Sequence, residues 1–125
     1  MEKHKASKDI ESFLNFLSQC QREYKFCYDE MTKQESLTQD YLHSLELDGL
    51  KCSERSKIAT KLMENRQERR AFKDRVEELE PIITFAETAN NVKFLRALSE
   101  VLGEVRKRES RHENRTYTPR VLTKV

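Results

Sequence analysis

Glycine and proline are nearly absent, with two of each in 125 residues, and tryptophan is missing altogether. A β-sandwich or barrel needs turn formers at short intervals, so an all-β fold is excluded and a doubly wound α/β fold is disfavoured. Apolar residues are also scarce, at 36% against the usual ~45–50%. No stretch approaches the ~18 uncharged apolar residues of a membrane span. The first residues, MEKHKASKDIE, contain no apolar core of a signal peptide. Three cysteines, an odd number, do not read as a disulfide framework. These absences lead us to expect one soluble, cytoplasmic domain with no membrane partner.

Charge is abundant instead. Asp, Glu, Lys and Arg make up 37% of the chain, against about 25% in an average globular protein. The net charge of +2 is unevenly spread. Residues 1–52 hold 7 basic and 10 acidic side chains, residues 53–88 hold 8 of each, and residues 89–125 hold 9 and 4. The C-terminal end is the basic one, and a charge asymmetry of that kind points to a binding region.

Side chains recur at alternating spacings of three and four from Ile10. The series runs Ile10, Phe13, Leu17, Cys20, Tyr24, Cys27, Met31, Gln34, Thr38, Tyr41, Leu45, and only Gln34 and Thr38 are polar. That is the heptad pattern of a coiled-coil seam and not of a strand. Ser7 is placed to cap this helix. Asp48-Gly49 ends it, because a glycine after the last periodic residue suits the left-handed C-cap conformation. Ser53 can cap a second helix, whose seam is Ile58, Leu62, Asn65, Arg69, Phe72, Val76, Leu79, Ile83, Ala86. Pro81 lies in that run and predicts a kink or a helix end near Leu79.

Folding the helices back at Gly49 pairs positions whose numbers sum to about 100. Cys20 then meets Leu79, Tyr24 meets Val76, Cys27 meets Phe72, and Gln34 faces Asn65. Two independent series thus place their polar members in one layer, which penalises register slips. A third run follows a break at residues 88–91, with Val92, Phe94, Leu95, Ala97, Leu98, Val101, Leu102 and Val105 spread over a wide apolar arc. The expected architecture is all-α: a long antiparallel hairpin with a third helix in residues 1–105, the helices spanning about 8–47, 53–87 and 90–110. A basic extended arm follows over 106–125. The arc on the third helix exceeds what one stripe on the hairpin covers, and Val92, Leu95, Leu98, Val101, Leu102 and Val105 on it are candidates for a homo-oligomer interface.

Catalytic, cofactor and metal sites are not indicated. Cys20 and Cys27 share a helix face, but no further ligand stands at zinc spacing, and they read as small seam residues. Asp40, Tyr41 and His43 are too close along one helix to converge, and no glycine-rich elbow or phosphate loop accompanies them. Two basic groups are candidates for partner or nucleic-acid binding. Arg66, Arg70 and Lys73 form a stripe at i, i+4 and i+7, either ion-paired to the first helix, with Arg70 beside Glu30, or open to phosphates or an acidic partner. Arg106, Lys107, Arg108, Arg111, Arg115, Arg120 and Lys124 crowd the C-terminal arm, and Tyr117 among them could stack on a base. The arm adds almost nothing to either seam, so fold stability should be nearly indifferent to it.

The segments RRAFKDRVEELEPI (69–82) and LGEVRKRE with RTYTPRV (102–121) resemble short helical proteins encoded by phages of Gram-positive bacteria. The resemblance spans about half the chain and brings no functional residues with it. It implies a phage or prophage accessory protein in a bacterial host, acting in host interference or regulation. The leading expectation is therefore a non-enzymatic helical protein that binds another protein. The alternatives are a nucleic-acid-binding module using the basic arm and a small-molecule-binding helical oligomer.

Overall fold

A computed structural model describes residues 3–116, Pro119 and Val121. It is built from three helices, α1 (Ala6–Leu47), α2 (Cys52–Glu87) and α3 (Ala89–Glu113). The expected all-α architecture is present, and no helix among the described residues is long and apolar enough to cross a membrane. At 1.5 Å per residue α1 extends about 63 Å. Two compact units divide the chain: residues 17–88, and the residues up to Phe16 together with those from Ala89 onward.

The first unit is the hairpin. Its seam follows the 3-4 spacing closely: Leu17, Cys20, Cys27, Gln34 and Thr38 of α1 are buried, as are Asn65, Val76, Leu79, Ile83 and Ala86 of α2. The remaining seam positions of this unit are half-buried. Cys20, Leu79 and Ile83 form the tightest apolar cluster, with Tyr24 and Ile82 against it. The rings of Phe26 and Phe72 pack in a T-shaped pair, with centroids 6.2 Å apart. Gly49 makes the turn at φ +53°, the left-handed conformation that its spacing implied.

The polar layer also forms. The Asn65 side-chain amide donates to the Gln34 backbone carbonyl at 3.0 Å and to Gln34 Oε1 at 2.6 Å. The Thr38 hydroxyl, 2% exposed, lies 2.5 Å from Asn65 Oδ1 and 3.0 Å from the Gln34 carbonyl. Gln34 and Asn65 thus share a layer, and the register is the one in which paired numbers sum to about 100.

Several local expectations are overturned. Of the kink or helix end expected near Leu79, the end does not occur: α2 continues through Pro81 to Glu87, the bound expected for the second helix. Pro81 is exposed, so its ring faces water, while Leu79, Ile83 and Ala86 are buried and hold the helix on both sides of it. Ser53 is not the cap of α2, which starts at Cys52 after Lys51 with no side-chain capping bond. Ser7 is not a cap either: it lies buried within the first turn of α1. Its N–H, one of the free donors of a helix start, donates to Glu109 Oε2 at 3.3 Å. The break before α3 is Thr88 alone, extended at φ −62°, ψ 133°.

The second unit sets the beginning of α1 against α3. Lys5 pairs with Glu113, and Arg106 pairs with Glu11 at 2.8 Å. Leu102 is buried here, with Ile10, Leu14, Leu95, Leu98 and Val105 half-buried. Glu113, Glu109 and Arg106, all beyond Val105, make the contacts from α3 to Lys5, Ser7 and Glu11. Residues 106–113 are thus not part of an extended arm: they continue α3 as helix and bond to the start of α1.

Candidate docking surfaces

A helix presents charge usefully only where its side chains are not already paired. In the α3 unit, Arg106 is engaged by Glu11, and Lys107 lies 3.7 Å from Glu104 on its own helix. Glu109 receives the Ser7 N–H. The Ser7 hydroxyl and backbone N–H, together with Lys5 and Arg106, hold its carboxyl below the ordinary glutamate range. Arg108, Arg111 and Arg115 are exposed and form no ion pair with a described residue. Tyr117, Arg120 and Lys124 lie outside the described residues.

The six apolar candidates on α3 do not make one face. Leu102 is covered by the chain itself, and Leu95, Leu98 and Val105 are half-buried. Val92 and Val101 are both exposed, but nine residues of α-helix turn them to opposite sides. What stays uncovered is a stripe of Phe94, Ala97 and Val101 that runs on into the half-buried Val105, with Glu100, Glu104 and Arg108 along its margin. Phe94 is 58% exposed and Val101 48% exposed. Phe94 and Ala97 belong to the apolar run read from the sequence but not to its six interface candidates, although their spacing of three and four to Val101 carries the signal.

On α2, Arg66 and Arg70 are exposed and Lys73 is half-buried. None of the three forms an ion pair with a described residue, so the expected Arg70–Glu30 contact is absent. The hairpin's ion pairs belong to their neighbours. Arg69 pairs with Glu35, and Arg75 Nε and Nη2 donate to the two carboxylate oxygens of Glu23 at 2.5 and 3.2 Å. Arg75 also reaches Glu78 at 3.2 Å. The guanidinium lowers the Glu23 pKa, chiefly through its hydrogen bond, and the two carboxylates raise that of Arg75. Arg69 and Arg75 are seam or near-seam positions, whose side chains reach across to α1. Arg66 and Arg70 are turned further away and line an open groove with Ala59 and Met63.

The cysteines are all free thiols, Cys20 and Cys27 buried in the seam and Cys52 exposed. Burial, and then the charge of Glu23, pushes the Cys27 thiol up. Tyr41 is half-buried while Asp40 and His43 are exposed, and no hydrogen bond joins them. Among the described residues no group of three or more His, Cys, Asp or Glu is placed to hold a metal ion. No family model, curated protein or solved structure matches this chain.

Proposed function

We propose that this protein is a non-enzymatic helical interaction module whose docking surface for another protein is the uncovered stripe of α3. The observation that carries this reading is the stripe itself: Phe94, Ala97, Val101 and Val105 recur at helical spacing, and the first three are exposed. Apolar side chains in a row with a charged margin are what a helix offers to a complementary groove or to another helix. Arg108 and Arg111 at the far end, not ion-paired with any described residue, extend that surface with positive charge and favour a partner with an acidic rim. In the phage setting that the two resembling segments imply, the partner is a host or phage protein whose activity is modulated by the contact. A coiled-coil contact with that partner would use the same stripe.

The test places a photo-crosslinking amino acid at Ala97 of the full-length chain, with a control probe at Lys33 on α1. A discrete protein adduct at 97, resistant to nuclease, absent at 33 and abolished by Val101→Glu, supports the reading. An adduct that disappears on nuclease treatment makes nucleic acid the partner, with Arg108, Arg111 and Arg115 as its phosphate contacts. No adduct at 97 removes α3 as the docking element.

A further inference from the structure

Next to its buried seam, α2 carries a second series at the same spacing on its solvent side: Ala59, Met63, Arg66, Arg70, Lys73, Glu77, Pro81 and Thr84. Every one of these is exposed except Lys73, which is half-buried. The series is ordered by charge. Its middle opens with Arg66, Arg70 and Lys73 and closes with Glu77, which the exposed Asp74 and Glu80 flank on the same helix, while both ends are uncharged. Met63 is 55% exposed at one end and Phe85 is 47% exposed at the other. None of the six charged side chains is paired with a described residue. Arg66 and Arg70 line one open groove, and Glu77 and Glu80, with Pro81 and Phe85, line another further along the helix.

From this order we infer that the outer face of α2 docks a second copy of this chain, antiparallel, across a two-fold axis between Lys73 and Asp74. Residues whose numbers sum to about 147 then face each other. Arg70 meets Glu77, Arg66 meets Glu80, Lys73 meets Asp74, and Met63 lies against Phe85. Two-fold symmetry makes each of these contacts twice, as an isologous interface requires. The parallel alternative would set Arg66 on Arg66 and Glu77 on Glu77, so charge alone selects the orientation. A nucleic acid laid along this face would meet three carboxylates within a few turns of the arginines. A uniformly acidic partner would meet the same repulsion. A copy of the same helix reversed has the complementary order. The inference concerns α2 only and does not depend on the role assigned to α3.

Sedimentation equilibrium of the full chain, at low ionic strength and in about 1 M salt, tests it; the Debye length in the latter falls to about 3 Å. The wild type should dimerise, and more weakly in high salt. Arg70→Glu sets carboxylate against carboxylate across the axis, and Glu77→Arg sets guanidinium against guanidinium. Each single variant should therefore weaken self-association by about tenfold or more. The double variant Arg70→Glu/Glu77→Arg restores both pairs and should recover it. Mixing the two single variants should give a heterodimer tighter than either homodimer, because opposite charges then face each other at every one of these positions. Circular dichroism confirms that each variant is folded, and Lys33→Glu on α1 controls for net charge. A monomeric wild type at all concentrations overturns the proposal. So does a dimer indifferent to both reversals, or one that Glu77→Arg strengthens alone. None of these results would touch the crosslinking assay at Ala97.

Discussion

Replacing Asn65 with leucine should destabilise the hairpin even though leucine is the better seam residue. The side-chain amide of Asn65 makes three contacts in the buried layer: two donated to Gln34 and one accepted from Thr38. Thr38 keeps an acceptor in the Gln34 carbonyl, but Gln34 Oε1 is stranded. Two lost bonds remove about 1 kcal/mol each, and a stranded buried acceptor costs a further 1–3 kcal/mol or so. The leucine side chain returns about 1.5–2 kcal/mol of apolar burial. The single variant should therefore lose about 1–3 kcal/mol. Gln34→Leu with Asn65→Leu leaves no stranded amide and should be more stable than the wild type by ~1 kcal/mol or more. Urea unfolding followed by far-ultraviolet circular dichroism, with unchanged m-values, measures the cycle. A coupling energy of about 2 kcal/mol is the expected outcome. Additivity within ~0.5 kcal/mol, the behaviour of independent sites, would show that the layer is not a unit.

Four further outcomes follow. Truncation after Val105 removes the partners of Lys5, Ser7 and Glu11, so hydrogen exchange should accelerate in the first turns of α1, whereas truncation after Asn114 should not do this. Pro81→Ala restores a backbone donor to the Glu77 carbonyl and should raise stability by about 1–3 kcal/mol; no gain in urea midpoint would mean the helix is already relaxed around the ring. Glu23 has its pKa lowered by Arg75, so its contribution is present above the unfolded glutamate value and is lost as pH falls through and below it; an acid titration of Glu23→Gln should lack that step. An aromatic disulfide reagent should titrate Cys52 rapidly in the native protein, and Cys20 and Cys27 only on unfolding, since both are buried and the Cys27 thiol is held protonated.

Burial along the hairpin was legible in the sequence because a seam needs only spacing. Of the twenty seam residues read from the 3-4 spacing, Phe13 alone is exposed. The Gln34–Asn65 layer was legible for the same reason, since two series must share one register. What misled were rules that act over one or two residues. Pro81 is a helix breaker only where nothing else holds the helix, and here Leu79 and Ile83 do. Ser7 has the chemistry of a cap, but a carboxylate from a distant helix reaches the first-turn donors instead. The charged surface was the least legible part. Arg69 and Arg70 differ by one residue, yet about 100° of rotation leaves one paired with Glu35 and the other open. Composition cannot separate two such neighbours. The charge order along the outer face of α2 stood in the sequence, but it became readable only once those paired residues were subtracted.

The position of the polar layer relative to the Gly49 turn has a kinetic consequence. Gln34 and Asn65 are 31 residues apart, whereas Cys20 and Leu79 are separated by nearly twice that. Loop closure costs about 0.6 kcal/mol more for each doubling of length, so a hairpin that zips from its turn reaches the amide layer before the apolar cluster of Cys20, Leu79 and Ile83. A chain that starts to close one heptad out of step meets the penalty there, while few apolar contacts have formed and reopening is still fast. The layer thus proofreads the register early, and the long apolar ladder beyond it closes on a hairpin that has already been checked.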